Sequence, residues 1–166
     1  MNSSKRLVDV FFSIGSNIDP EKNIQFAMEQ LKKKFNFLEY SSVYKTEAVG
    51  FEGDYFLNLV AKTKTSLLPK TIIETLRKIE SDTGREVGTG KFSSRTLDID
   101  MILYGEMINE SIRIPRDDID LYAFVIGPLA EIHPEGLHPV SGLKYFDLWE
   151  QFSQKEQLIE KIASQL

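Results

Sequence analysis

A chain of 166 residues is the length of one domain and can bury a core without disulfides or metals. Its 42% hydrophobic and 27% charged residues are those of an ordinary folded protein, which excludes disordered, collagen-like and coiled-coil classes. No cysteine is present, so disulfides, thiolate metal sites and cysteine nucleophiles are excluded, and a formal charge of −5 means that any anion must be held locally.

The longest apolar stretches, 7–14 and 123–130, are far shorter than the ~18 residues of a membrane helix. The first of them is broken by Asp9 and has no cleavage-like end, so the expectation is a mature cytoplasmic protein without a membrane partner. Residues 7–14 mix β-branched and aromatic side chains and predict a strand running into the turn Gly15-Ser16-Asn17. Asp19 then reads as an N-cap with Pro20 at the first helical position, and Ile24, Ala27, Met28 and Leu31 follow at helical spacing. Lys32, Lys33 and Lys34 close that helix as a solvated end favourable to its dipole.

Residues 38–46 and 55–64 predict two strands joined by the loop 47–54. Pro69 opens a second helix with Ile72, Ile73, Leu76 and Ile79 on one face and Gly84 as its stop. A Gly- and Ser-containing loop, 86–94, precedes a strand over 97–104, followed by a hairpin through 105–109 into 112–114. Residues 123–132 predict a short helix, and 146–166 an amphipathic helical extension of the single domain 1–166. The order β-α-β-β-α-β-β-α is that of a split βαβ, ferredoxin-like α+β sandwich with additions and a mostly antiparallel sheet.

Arg95-Thr96-Leu97-Asp98-Ile99-Asp100 places two carboxylates two apart on a strand, hence on one face. Such a pair needs a cation, and oxygen ligands without His or Cys point to Mg²⁺. Taken alone, the commoner reading is a solvated face or a salt-bridge partner. Arg85, Lys91 and Arg95 lie close by in sequence, and carboxylates for Mg²⁺ beside guanidiniums for phosphate oxygens are what phosphoryl transfer from ATP requires. The bland alternative pairs these cations with Asp98, Asp100 and Glu80. No Walker A loop is present.

These residues, with Ser42-Val43-Tyr44-Lys45-Thr46, Phe56-Leu57-Asn58, Ile79-Glu80, Gly84-Arg85, Ile114-Pro115, Phe124-Val125 and Pro128-Leu129-Ala130-Glu131-Ile132, run in unbroken order over about 7–140. The chain resembles the 6-hydroxymethyl-7,8-dihydropterin pyrophosphokinases, folate-pathway transferases that move the β,γ-diphosphate of ATP to the hydroxymethyl group of a pterin. The resemblance implies that Asp98 and Asp100 hold two Mg²⁺ ions and that Arg85 and Arg95 neutralise the transferred phosphates. It places Glu80, Phe92, the backbone near Met101 and Arg116 in the ATP site. Thr46, Val49 and Asn58 would hydrogen-bond the pterin ring, which Phe56 and Phe124 would sandwich. Loops 47–54 and 86–94 would act as lids. A monomer is implied.

Three positions depart from the family pattern: Arg116 stands where a histidine is usual, Tyr122 where an arginine is usual, and Phe92 lies in a loop richer in Gly and Ser. These departures keep a non-catalytic pterin- or nucleotide-binding paralogue as the alternative. An RNA-binding module on the same fold would need a basic surface and an aromatic strand motif that the sequence lacks. His133 and His138 read as loop staples, Trp149 and Phe152 as core, and Ser13, Ser16 and Ser42 have no histidine partner at a credible spacing.

Overall fold

The structure, a computed structural model, describes residues 6–46, 55–83, 97–155 and 160–162. Strands β1 (Val8–Ser16), β2 (Glu39–Tyr40), β3 (Val43–Thr46), β4 (Phe56–Thr65), β5 (Asp98–Tyr104) and β6 (Glu160–Ile162) form one sheet in the order β5-β1-β4-β3-β6, with β2 also on β4. Every pairing is antiparallel. This is the split βαβ arrangement expected of a ferredoxin-like sheet.

The sheet is buried on both faces, which is why its central strands read as almost continuous apolar runs. On the first face, Val10, Phe12 and Ile14 of β1, Leu57, Leu59 and Ala61 of β4, and Ile99 and Met101 of β5 pack under helices α1 (Pro20–Lys34) and α2 (Pro69–Asp82). Ile24, Ala27, Leu31, Ile72, Leu76 and Ile79 are the helical side of that core. On the second face, Phe11, Val60, Ile102 and Leu103 meet α3 (Asp118–Leu121), α4 (Ala123–Ile132) and α5 (Tyr145–Glu150). Trp149 and Phe152 stack on each other at 6.2 Å and pack, half-buried, against this second cluster.

Two bulges set which residues face which side. Between Phe11 and Phe12 the partner shifts from Leu103 to Met101, so Ile102 is the extra residue and β5 turns both Ile102 and Leu103 to the second face. The predicted strand 38–46 is likewise broken into β2 and β3. Tyr40 pairs with Ala61 but Tyr44 with Asn58, one residue out of step. Ser41 occupies the break, where its hydroxyl accepts the Val60 N–H at 2.9 Å in place of a ladder bond.

Three other expectations are corrected. Asp19 precedes α1 but its side chain does not cap it: the residue sits in the left-handed region at φ 41°, tolerated best by Asp, Asn and Gly, and its carbonyl accepts the Asn23 N–H. Helix α2 ends at Asp82, where the Thr83 N–H and hydroxyl both donate to the Glu80 carbonyl; Gly84, the expected stop, lies outside the described residues. The hairpin through 105–109 into 112–114 is instead a turn of 3₁₀ helix, Glu110–Ile112, enclosed by a single bridge between Asn109 and Ile114. Asn109 Oδ1 accepts the Ser111 N–H and so turns the chain before a ladder can form.

The helical reading of 146–166 holds only for the start, in α5. Residues Glu160–Ile162 pair with β3, where the unpaired edge of the sheet offers backbone partners and Ile162 packs on the first core. Among the described residues, no helix is long and apolar enough to cross a membrane.

Candidate active site

One row of paired residues crosses four strands. Asp98 of β5 lies opposite Gly15 of β1, Gly15 opposite Asn58 of β4, and Asn58 opposite Tyr44 of β3. Strand alternation puts Asp98 and Asp100 on the second face, because Ile99 and Met101 between and beyond them are in the first core. Asn58 and Phe56 share that face, since Leu57 and Leu59 are in the first core.

Gly15 and Ser16 belong to β1 rather than to the expected turn, and glycine is required at 15 because a Cβ there would lie 2.7 Å from Asn58 Oδ1. Its missing side chain makes room for the buried Asn58 amide. Asn58 Nδ2 donates to Thr46 Oγ1 at 3.0 Å, so the amide is fixed and its oxygen is turned to the side of Gly15. Asn58, Thr46 and Phe56 thus stand at one end of the row and Asp98 and Asp100 at the other.

Helix α4 covers this end. Glu131 fastens it to β3, accepting from Ser42 N–H, Ser42 Oγ and, at 2.6 Å, Tyr44 Oη. Burial alone would raise the Glu131 carboxyl, but these donors outweigh it and hold the group below its ordinary value. Tyr44 is pushed up, by burial first and by the Glu131 hydrogen bond second, so it stays a donor. Phe124, near the start of α4, packs toward the second core and stacks with Tyr122, ring centroids 5.0 Å apart.

The cations are arranged around Asp100. Arg116, only 16% exposed, has Nη1 3.9 Å from Asp100 Oδ1 and Nη2 3.3 Å from both oxygens of Asp118. It is held there because its backbone N–H donates to the Ile102 carbonyl on the edge of β5. Asp118, in the acidic turn that follows, is thus its partner, and the pair is largely buried and faces the carboxylate site. Burial raises the Asp118 carboxyl, against the lowering effect of Arg116. Buried Arg116 Nε has no hydrogen-bond partner among the described residues. Beside it an open cleft of about 370 Å³ is lined by Ile108, Arg113, Ile114, Pro115 and His138 among others.

Glu80 sits deep, 4% exposed at its side chain, with Oε2 accepting the Ile99 N–H at 2.8 Å and Oε1 3.1 Å from Arg77 Nη1. It therefore pins α2 to the start of β5 and so orients the Asp98–Asp100 strand. Met101 is buried in the first core; only its backbone is available on the edge strand. Arg85, Arg95, Lys91, Phe92 and Val49, with loops 47–54 and 86–94, lie outside the described residues. Arg77 is the neighbour that sequence reasoning passed over. An arginine on the polar side of an amphipathic helix gives no signal of its own, and only the fold brings α2 beside Asp100.

The donor set fits Mg²⁺. Two carboxylates on one face, Asp100 28% exposed, leave room for the waters and phosphate oxygens that this ion keeps. Among the described residues there is no group of three or more His, Cys, Asp or Glu that would form a closed metal cage.

The family model for 7,8-dihydro-6-hydroxymethylpterin-pyrophosphokinase (HPPK) matches residues 11–134. The chain belongs to this family. It is therefore a pyrophosphokinase, a transferase of folate biosynthesis, in a family that uses ATP as co-substrate. Similar HPPK proteins include one from Aquifex aeolicus, 34% identical over 138 residues, covering 81% of this chain and 86% of that one. Another, from Haemophilus influenzae, is 33% identical over 159 residues, covering 92% and 98%. A solved Plasmodium falciparum HPPK-DHPS with SDX-DHP aligns at TM-score 0.69 and 12% identity over 91% of this chain, a likeness of fold alone. The chain spans 46% of that protein.

Proposed function

We propose that this HPPK chain transfers diphosphate from ATP to the hydroxymethyl oxygen of 6-hydroxymethyl-7,8-dihydropterin. That oxygen attacks the β-phosphorus, the bond from Pβ to the bridging oxygen on Pα breaks, AMP leaves and the hydroxyl proton is lost. The supporting observation is the row Asp98–Gly15–Asn58, which sets a carboxylate end and a hydrogen-bonding, aromatic end on one face, with Gly15 between them making room for Asn58 Oδ1.

Asn58 and Thr46 supply fixed polar atoms for the pterin edge, and Phe56 and Phe124 supply flat apolar faces for its ring. Val49 is assigned to the same end. Asp98 and Asp100 would hold two Mg²⁺ ions, which when bound neutralise phosphate oxygens. Arg85, Arg95 and Arg116 bind and orient the phosphates, and Phe92 and the Met101 backbone complete the nucleotide site. Glu80 serves it by positioning β5. The cleft beside Arg116 has the size of a small-ligand site and an apolar wall suited to a purine. The protein acts as a cytoplasmic monomer that engages neither nucleic acid nor membrane.

AMP release in a coupled assay, with and without the pterin, tests the proposal. Release strictly dependent on the pterin is expected. Binding of both ligands without AMP release would instead make the chain a non-catalytic relative.

A further inference from the structure

Arg77 lies toward the end of α2, on the first face of the sheet, yet its guanidinium reaches the acidic end of the site on the second. Its Nη1 is 3.1 Å from Glu80 Oε1 and 3.9 Å from Asp100 Oδ1. That path exists because β5 ends the sheet and α2 packs beside it. Arg116 Nη1 stands at the same 3.9 Å from the same oxygen, reaching it from the turn after Pro115. One carboxylate oxygen is thus flanked by guanidiniums from two separate elements.

We infer that Arg77 is a phosphate-binding residue of the nucleotide site, working with Arg116 across Asp100. This rests on the reaction proposed above. At 3.9 Å neither guanidinium makes the short charge-assisted hydrogen bond of a committed pair, which lies near 2.8 Å. Arg77 is 55% exposed, and its guanidinium carries further N–H donors besides the one on the buried Glu80, so it can turn a donor to a phosphate oxygen without leaving that carboxylate. Glu80 keeps the Ile99 N–H when Arg77 turns. Arg116, by contrast, is retained by Asp118.

Once Asp100 is committed to a divalent cation, its carboxylate no longer balances the two guanidiniums. Phosphate oxygens are then the anions within their reach. The planar fork of arginine suits a phosphate better than the point charge of lysine, but most of the effect at this exposed position is charge.

Calorimetry on the full chain with α,β-methylene-ATP, in MgCl₂ and separately in EDTA, and with hydroxymethylpterin, tests this on Arg77→Gln and Arg77→Lys, each with its melting temperature. Gln keeps a donor for Glu80 but no charge; Lys keeps the charge. The expected result is about tenfold or greater loss of nucleotide affinity in Arg77→Gln in MgCl₂, a smaller loss in EDTA where Asp100 still faces the guanidiniums, and most of the affinity retained in Arg77→Lys. Pterin affinity and melting temperature should be unchanged in both.

Nucleotide affinity unchanged in Arg77→Gln overturns the inference while leaving the proposed reaction standing. Equal losses in Gln and Lys variants with a lowered melting temperature also overturn it, because they mark a purely structural contact. No nucleotide binding by the unaltered chain overturns both.

Discussion

Asp98 and Asp100 repel each other in the absence of a cation, and strand alternation by itself sets the face that each occupies. Asp98→Asn or Asp100→Asn should therefore leave the fold intact and lower turnover by about a thousandfold or more, by removing charge stabilisation at the transferred phosphates. Steady-state AMP release at saturating Mg²⁺ measures this, and near-normal turnover would refute the metal assignment. Gly15 makes a subtler demand. A methyl group there meets Asn58 Oδ1 at 2.7 Å, and the amide cannot swing aside without losing Thr46. Gly15→Ala should weaken pterin binding about tenfold while ATP affinity stays the same, as read by calorimetry. Unchanged pterin affinity would mean that Asn58 is not a ligand.

At the scale of elements, the site depends on α4 lying at a fixed height over β3. Glu131 is the fastening, with three donors from Ser42 and Tyr44 converging on one carboxylate. Glu131→Ala leaves those donors facing a gap and should cost about 1–3 kcal/mol in urea unfolding. Because Phe124 rides on the same helix, pterin affinity should fall too, whereas ATP affinity should not. A stability loss without any change in pterin binding would separate α4 from the substrate end.

Across the whole molecule, a half-buried histidine lies against the second core. His133 packs between Phe11, at 4.8 Å, and Tyr145, at 5.7 Å. Burial first, and the charge of Lys62 second, hold its imidazole below the ordinary value. The unfolded chain then takes up a proton that the folded chain refuses, so this contribution to stability is present above about pH 6.5 and is lost as the pH falls below it. Asp118 acts in the opposite sense, since burial raises its carboxyl. Comparison with His133→Phe isolates the histidine: the variant should lose less stability than the unaltered chain between about pH 7.5 and 5.5. An NMR titration placing His133 at or above 6.5 would refute the explanation.

The sequence by itself determined the helices α1 and α2, the central strands, the ferredoxin-like order and the carboxylate pair. These rest on short-range periodicity: Ile99 between Asp98 and Asp100 is enough to say that both acids share a face. It also carried the resemblance that points to Asn58, Thr46 and Phe124. Only the tertiary structure decided what each polar group does once neighbours compete for it. Asp19 lies where a cap belongs but does not cap; Ser41 breaks a predicted strand because Val60 needs an acceptor. The tail becomes an edge strand because β3 has an unfilled side, a long-range fact that no local propensity carries. Arg77 and Arg116, 39 residues apart in sequence, meet at Asp100 because the sheet ends at β5, and that meeting, not any motif, makes them a pair.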